Sequence, residues 1–435
     1  MAPQPTIPNA SGSGSSSNAN AVPQTTLVLT NPLLAKMKPS RIFRTAVEPH
    51  PEPKGTPPPQ YRPPPPRHIW GITFDDRGDT LVTAAEDESF RLYSCRSGKA
   101  VKTLYSKKYG VKLPRFTHKN TAILHASTKE DDSIRYHSIH DNKYLSYFKG
   151  HKGKVTSLEV SPVDDGFMSG SEDKTVRLWD LRMGLGGSCR GQLNLPTKEP
   201  VVAYDSSGLV FAVAVNGFQR ILLYDQANYD KAPFLTISLE DPTLAQISYP
   251  PRPIYVTSLA FSSNGKFILV GASGDAHYVL DAFQGSVLAK LEGHVGLERR
   301  AINERKGIEC GRGISGEEVS WTPDSKYVVG GSLDGKVCIW DVQNLGDAAS
   351  IEAAAALAPG APMPMKKIQP MVKLEGHPGP ARCVRFNPRL AMMCTAGSEL
   401  AFWLPDTSGD PEEIAKDLLS SRRTISKMPM APPPI

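Results

Sequence analysis

The chain contains 435 residues, of which 40% are hydrophobic and 22% are charged, and this balance is typical of a globular protein with a large core. It has no run of about 18 apolar residues, so we expect no membrane span, and because its start is polar we expect no ordinary secretion signal. The formal net charge is +6, but residues 1–67 hold seven basic and two acidic side chains, so the rest is nearly balanced and we expect no direct nucleic-acid binding.

The N-terminal part of the chain divides into three predicted segments. Residues 1–39 are low in complexity and offer little apolar surface, so we predict a disordered extension. Residues 40–47 read Ser-Arg-Ile-Phe-Arg-Thr-Ala-Val, which indicates a short strand. Residues 48–67 are dense in proline, so we expect a stiff, extended tether.

One pattern recurs seven times over residues 68–405: an apolar stretch, a turn that often carries Asp, and a second apolar stretch that usually ends in an aromatic ring. A four-stranded propeller blade has a period of about 40–45 residues, which the first three intervals fit. The later ones need insertions, which we place near 298–317 and 343–370 and expect to be surface loops. The sequence therefore predicts an all-β, seven-bladed propeller. The closing positions are Tyr93, His137, Trp179, Tyr224, Leu280, Trp340 and Trp403, separated by 44, 42, 45, 56, 60 and 63 residues.

A hydroxyl, a carboxylate and a ring recur at fixed offsets in the first three repeats. Together with His151, such groups can hydrogen-bond across neighbouring strands and satisfy one another when buried. The alternative interpretation makes Ser169, His151 and Asp173 a nucleophile, a base and an orienting carboxylate. We disfavour this alternative because the set recurs as a repeat unit. The three sets are Thr83, Asp87 and Tyr93, then Ser127, Asp131 and His137, then Ser169, Asp173 and Trp179.

The last repeat lacks an outer strand, because no alternating segment follows Pro405. We infer that residues 41–46 supply this strand and close the ring, which leaves the last blade no unpaired edge. Residues 406–435 form a tail in which Asp410 and Pro411 indicate the start of a short helix. Three alternatives stay open for this tail: packing on the propeller, presentation to a partner, or fraying.

The remaining motifs do not favour catalysis. Residues 311–316 match Gly-x-Gly-x-x-Gly, but that pattern binds a dinucleotide only between the strand and helix of a βαβ unit. The histidines lack ligand spacing with a carboxylate, and the six cysteines form no Cys-x-x-Cys pair, which favours a reducing intracellular compartment. We therefore expect no enzyme activity, no cofactor and no metal.

Basic and aromatic residues concentrate in the loops of the second and third repeats. If these side chains face one way, they can grip an acidic or phosphorylated extended peptide, because Lys and Arg form charge-assisted bonds to phosphate and Tyr provides a stacking face. The alternative is a set of solvated loop charges interspersed with acids. The candidate residues are Lys107, Lys108, Tyr109, Arg115, Lys129, Lys152 and Lys154.

Several phrases are more specific than the general repeat pattern. They are TLYSKKYGV at 103–111, DDSIRYHSIHDNKYLSYFKGH at 131–151, SPVDDGFMSGSEDKTVRLWDLR at 161–182, DAFQG at 281–285 and AFWLP at 401–405. Over about 40–405 the chain resembles the WD-repeat subunit of the COMPASS histone lysine methyltransferase complex, which fungi share with the cleavage and polyadenylation factor.

The resemblance implies a function that the residue patterns do not show. It implies a non-catalytic nuclear scaffold that is a monomer within a larger complex and supports methylation of histone lysine 4. It also implies links to the phosphorylated tail of RNA polymerase II, to mRNA 3′-end processing and to transcription termination. The alternative is a generic WD-repeat adaptor, such as a substrate receptor of a ubiquitin ligase.

Overall fold

The structure, a computed structural model, describes residues 28–51, 64, 66–183, 189–247, 249, 251, 253–296, 316–345 and 365–406. The described strands form seven sheets, of which six have four strands and one has five. Each sheet is one blade, which confirms the predicted all-β, seven-bladed propeller. The predicted tail helix, and most of the proline-rich tether and of both insertions, lie outside the described residues.

The chain begins with α1 (Asn31–Ala35) and β1 (Met37–Phe43). Blade 1 contains β2 (Ile69–Phe74), β3 (Thr80–Ala85), β4 (Ser89–Ser94) and β5 (Lys99–Tyr105). Blade 2 contains β6 (Lys112–Phe116), β7 (Ala122–Ala126), β8 (Ile134–Ser138) and β9 (Lys143–Phe148). Blade 3 contains β10 (Val155–Val160), β11 (Gly166–Ser171), β12 (Thr175–Asp180) and β13 (Gly191–Asn194).

Blade 4 contains β14 (Val201–Tyr204), β15 (Val210–Val215), β16 (Arg220–Asp225) and β17 (Leu235–Ser238), and α2 (Pro242–Ile247) follows it. Blade 5 contains β18 (Val256–Phe261), β19 (Phe267–Ala272), β20 (Ala276–Asp281), β21 (Val287–Glu292) and β25 (Lys366–Ile368). Blade 6 contains β22 (Val319–Trp321), β23 (Tyr327–Gly331), β24 (Val337–Asp341) and β26 (Val372–Leu374). Blade 7 contains β27 (Cys383–Phe386), β28 (Met393–Ala396), β29 (Leu400–Pro405) and β1.

The first strand of each blade lines a central channel, because these strands contact one another around the ring, as β2 does with β6 and β27. Burial follows this arrangement: β11 is buried at every position, whereas the outer strand β5 exposes its first five residues. Neither described helix is long enough and apolar enough to span a membrane.

Aromatic side chains between neighbouring blades hold the ring together. Phe148 of blade 2 packs on Phe167 and Trp179 of blade 3, with ring centroids 4.8 and 5.9 Å apart. Trp340 and Trp403 are also fully buried in their blades. Truncating a buried ring of this size to Ala costs about 3–5 kcal/mol, so these closing positions contribute strongly to stability.

The outer strand of blade 7 comes from the N-terminus, because β1 pairs antiparallel with β29, with Met37 opposite Pro405 and Phe43 opposite Leu400. The ring of Phe43 also packs on Tyr93 of blade 1, with centroids 4.7 Å apart. The strand starts three residues before the predicted span 40–47 and ends four residues before its end. The remaining residues of that span continue as irregular chain over blade 1.

Part of the predicted disordered extension is ordered, which corrects the prediction for residues 28–39. Leu34 and Met37 are buried between blades 6 and 7. Tyr327 donates a hydrogen bond of 2.5 Å to Asn31, whose amide donates one of 3.1 Å to Asp341. Two apolar side chains and an amide are too few to be read from a low-complexity sequence, but they suffice to fix this segment.

The insertion near 343–370 is not a surface loop throughout. Its residues 366–368 form β25, which pairs in parallel with β21 and gives blade 5 its fifth strand. Three residues are too short to show strand periodicity, and the partner lies far away in sequence, so the pattern could not reveal this strand.

Candidate partner-binding face

Two kinds of connection share one end of every blade. In an antiparallel sheet of four strands, the turn after the second strand and the connection from the fourth strand to the next blade lie at the same end. We name this end the upper face. The structure places Lys107 and Lys108 between β5 and β6, Lys129 between β7 and β8, and Lys152 and Lys154 between β9 and β10, and all five side chains are exposed there.

Tyrosine rings lie beside the first lysines of this face. The ammonium group of Lys107 is 5.0 Å from the centroid of the Tyr105 ring, and that of Lys108 is 5.1 Å from the Tyr109 ring. The guanidinium carbon of Arg135 lies 3.5 Å from the same Tyr109 ring. Hydrogen bonds donated by Lys108 and Arg135 to the Tyr109 oxygen lower the pKa of this hydroxyl. Of the predicted residues, Lys107, Lys108 and Tyr109 therefore form one basic and aromatic cluster at blades 1 and 2.

Lys129 contributes less positive charge than its exposure suggests. Its ammonium group forms an ion pair with Glu88 of blade 1. The basic character of the upper face therefore comes mainly from Lys107, Lys108, Lys152 and Lys154.

Arg115 does not join this surface, which corrects its assignment to the loops. It lies on β6 and faces the central channel, where its guanidinium group is 2.5 Å from Glu317 and 3.2 Å from Glu159. Burial alone would lower the pKa of Arg115, but the two carboxylates raise it. Arg115 therefore links blade 2 to blades 3 and 6, and its charge is already neutralised.

Glu317 also crosses from blade 6 to blade 1. Its carboxylate accepts a hydrogen bond of 2.7 Å from the backbone N–H of Ile72, and Arg385 of blade 7 lies 3.6 Å away. Beside these side chains the channel widens into a cavity of about 280 Å³ that Arg115, Glu159 and Trp321 help to line. Among the described residues, no group of three or more His, Cys, Asp or Glu side chains could hold a metal ion.

The polar set of blade 3 forms one hydrogen-bonded chain. His151 lies between Asp173, at 3.0 Å from Nδ1, and Ser169, at 2.7 Å from Nε2. Trp179 Nε1 donates to the same Ser169 hydroxyl at 2.8 Å. Burial lowers the pKa of His151. Burial would raise the pKa of Asp173, but hydrogen bonds from the Thr175 hydroxyl and the Lys152 N–H lower it. Ser169 is fully buried, so the geometry supports bracing of the sheet rather than nucleophilic attack.

Blades 1 and 2 use a different partner for the same carboxylate. Asp87 pairs with Arg91 at 3.0 Å, and Asp131 pairs with Arg135 through two contacts of 2.9 Å. Arg135 also donates to Ser127 at 2.6 Å. Neither arginine is among the network residues predicted from the sequence, although each stands four residues after the Asp of the turn. Of the other predicted members, Thr83 is buried on β3, and His137 lies 2.9 Å from Asn142 rather than in the chain of bonds.

A ring of seven blades, with the polar sets of blades 1 to 3, defines a WD-repeat propeller. The family described as "WD domain, G-beta repeat" matches residues 142–180, 251–277 and 317–341. The chain is 40% identical over 338 residues to WD repeat-containing protein 82 of Drosophila melanogaster, which covers 78% of this chain and 90% of that protein.

Two yeast proteins are similar over a comparable share of the chain. The Set1 complex component swd2 of Schizosaccharomyces pombe is 35% identical over 350 residues, covering 77% of this chain and 92% of that protein. The COMPASS component SWD2 of Saccharomyces cerevisiae is 34% identical over 339 residues, covering 78% and 91%. The chain therefore belongs to the family of WD-repeat proteins that contains WD repeat-containing protein 82 and Swd2, which confirms the resemblance.

Proposed function

We propose that the protein is a non-catalytic scaffold subunit of a Set1-type histone lysine-4 methyltransferase complex, and that it acts in the nucleus as one propeller within that assembly. The observation that carries this proposal is the similarity, over more than three quarters of the chain, to two yeast proteins named as components of the Set1 and COMPASS complexes. A closed ring of blades offers rigid loop-bearing faces, which suit the simultaneous binding of several partners.

We also infer that the upper face links this complex to transcribing RNA polymerase II and to the machinery of mRNA 3′-end cleavage, polyadenylation and termination. The phosphorylated tail of the polymerase is an extended, acidic peptide. The lysines of the upper face, together with Tyr109, supply charge-assisted bonds and a stacking surface suited to such a ligand.

Affinity purification of the tagged full chain from nuclear extract tests the scaffold proposal. We expect methyltransferase-complex subunits to dominate the captured proteins, and polyadenylation factor subunits to accompany them. Capture of cullin components without methyltransferase subunits would instead support a generic adaptor of a ubiquitin ligase.

Charge reversal of the upper face tests the proposed peptide binding. We predict that changing Lys107, Lys108, Lys152 and Lys154 together to Glu weakens capture of a phosphorylated polymerase-tail peptide by about tenfold or more, because several charge-assisted bonds are lost. Fluorescence anisotropy measures the affinity, and thermal unfolding checks that the variant remains folded.

A matched control separates a local effect from a change in net charge. The same four-charge reversal at Lys99, Lys119, Lys231 and Lys266 alters exposed lysines at the opposite end of the blades. We expect this control to bind the peptide nearly as the unmodified chain does. Equal losses in the two variants, or no loss in either, would place recognition elsewhere.

A further inference from the structure

At the upper face, Asp carboxylates in the turns accept hydrogen bonds from backbone N–H groups of the chain segments that lie over them. The acceptor is the Asp that follows the second strand of its blade, and the donor belongs to a segment arriving from outside that turn. In this way each overlying segment is held by its backbone, whatever side chain it carries. The three bonds are Glu48 N–H to Asp87 at 2.7 Å, Lys152 N–H to Asp173 at 2.9 Å, and Gly296 N–H to Asp275 at 2.8 Å.

Asp131 of blade 2 occupies the same turn position but has different surroundings. Among the described residues, its carboxylate accepts hydrogen bonds from its own blade: from Arg135 at 2.9 Å and from the Ser133 N–H at 3.3 Å. Its side chain is 34% exposed, against 0% for Asp87 and 9% for Asp173. The carboxylate of Asp131 therefore faces solvent at the position where its counterparts bind a backbone.

Blade 1 shows how an extended segment binds at such a site. Residues 44–50, which we name the strap, cross the upper face of this blade after β1 ends. Arg91 donates a hydrogen bond to the carbonyl oxygen of Thr45, and Asp87 accepts the N–H of Glu48. The carboxylate of Glu48 accepts a hydrogen bond from the Tyr105 hydroxyl. Asp87 of the turn and Arg91 of β4, which we name the turn pair, thus hold the backbone, and Tyr105 of the outer strand holds the acidic side chain.

Blade 2 carries the same turn pair with one change at the outer strand. Ile134 pairs with Phe148, so Lys149 lies opposite Ser133, just as Tyr105 lies opposite Ser89 in blade 1. Lys149 is exposed. An ammonium group therefore stands at the strand position that the Tyr105 hydroxyl occupies in blade 1, where it can serve as a donor for an acidic side chain.

The ring of Tyr109 determines which part of the turn pair remains accessible. It covers the guanidinium group of Arg135, so Asp131 is the member of the pair that stays open. Glu130 and Asp132 flank Asp131 in the same turn and repel an acidic side chain on their side. For the residue that donates its N–H to Asp131, an acidic side chain is therefore favoured toward Lys149, and this sets the direction of the bound segment.

We propose that Asp131 is the backbone anchor of the upper face, where an extended acidic segment of a partner protein donates an N–H to Asp131 and directs its acidic side chain to Lys149. This inference rests on the proposed peptide-binding function, and it adds which residue of the bound segment lies over Asp131. Asp131 and Lys149 hold one residue, while Lys107, Lys108, Lys152 and Lys154 bind charges on its neighbours.

The strap itself supplies the probe for a test. A fluorescein-labelled synthetic peptide with the sequence of residues 43–50 contains the backbone and the Glu that bind in blade 1. The site in blade 1 is already occupied by the tethered strap, whose effective concentration is about millimolar. The added peptide therefore binds preferentially at blade 2. Fluorescence anisotropy with the full chain measures its affinity.

We expect saturable binding of this peptide, and a loss of about tenfold or more with Asp131→Asn, since one charge-assisted hydrogen bond is weakened. Asp141→Asn is the matched control, because it makes the same substitution at an exposed side chain in the turn between β8 and β9, at the opposite end of blade 2, and we expect nearly unchanged affinity. Lys149→Glu should weaken binding through its charge alone.

A modified peptide tests the same contact without altering the protein. Methylation of the backbone nitrogen of Glu48 removes one N–H donor, and we expect this peptide to lose as much affinity as the Asp131→Asn variant causes. Absence of saturable binding, or equal affinity of the methylated and unmodified peptides, would overturn the anchor. Failure of the lysine reversals with the phosphorylated peptide would instead contradict the proposed function, so the two failures are distinguishable.

Discussion

Glu317 and Glu318 are adjacent in sequence but meet opposite electrostatic surroundings. Glu317 points across the channel to Arg115, with a separation of 2.5 Å. Glu318 is buried and accepts hydrogen bonds from the Gly316 N–H at 3.0 Å and from Thr257 at 3.1 Å. Burial raises the pKa of Glu318 from 4.5 to about 7, despite these bonds. One of the two adjacent carboxylates therefore braces the ring, and the other is costly to ionise.

The raised pKa of Glu318 predicts a dependence of stability on pH. The folded chain binds this proton more tightly than the unfolded chain, so stability is fully present below pH 4.5 and falls as the pH rises toward about 7. The loss is on the order of 3 kcal/mol at 1.36 kcal/mol per pKa unit. We predict that Glu318→Gln raises the free energy of unfolding near pH 7 and flattens this dependence.

Denaturant unfolding at a series of pH values measures the effect, and Glu172→Gln, at a turn of the upper face, serves as the control. If Glu318→Gln and the unmodified chain have parallel stability profiles between pH 4.5 and 7, the attribution to Glu318 is wrong.

At the scale of elements, the N-terminal strand joins the two ends of the chain. β1 completes blade 7 through its pairing with β29, and Leu34 and Met37 fill the space beside blade 6. The ring of Phe43 then packs on Phe402 and Tyr93, with centroids 5.3 and 4.7 Å apart. Loss of this segment would expose the edge of β29 and uncover apolar surface in blades 6, 7 and 1.

We predict that deleting residues 1–44 makes the protein insoluble or lowers its melting temperature by about 10 °C or more, the shift expected for losing several kcal/mol in a domain of this size. Deletion of residues 1–27, which leaves α1 and β1 in place, is the matched control and should melt like the full chain. Equal melting temperatures for all three proteins in differential scanning fluorimetry would refute closure by β1.

The parts of the fold that could be predicted from the sequence are the blades, because the repeated pattern specifies them. Seven closing positions gave the blade number, because each repeat must bury its own ring, as Trp179 does. Strand β25 and the order of residues 28–39 could not be predicted, because both depend on single contacts between distant parts of the chain. The Asp131–Arg135 pair carried a readable signal of four-residue spacing, whereas the position of Arg115 in the channel depends on strand orientation and on Glu317.

At the scale of the whole molecule, most of the groups that brace the propeller lie apart from the lysines that we expect to bind partners, and Asp131 of blade 2 is the residue that we assign to both roles. Apart from Asp131, the polar sets of blades 1 to 3 and the channel ion pairs lie mostly among buried side chains, whereas Lys107, Lys108, Lys152 and Lys154 project from connections at one end. A scaffold needs this division, because its binding loops can differ from blade to blade without disturbing the ring. The upper face is therefore the surface on which we expect partner proteins to be held.

Cross-linking mass spectrometry of the assembly purified from nuclear extract tests this central claim most directly. We predict cross-links from Lys107, Lys108, Lys152 or Lys154 to partner proteins, and methyltransferase-complex subunits among the proteins cross-linked to the chain. Absence of methyltransferase subunits from the assembly, or partner cross-links confined to Lys99, Lys119, Lys231 and Lys266 at the opposite end of the blades, would contradict the account.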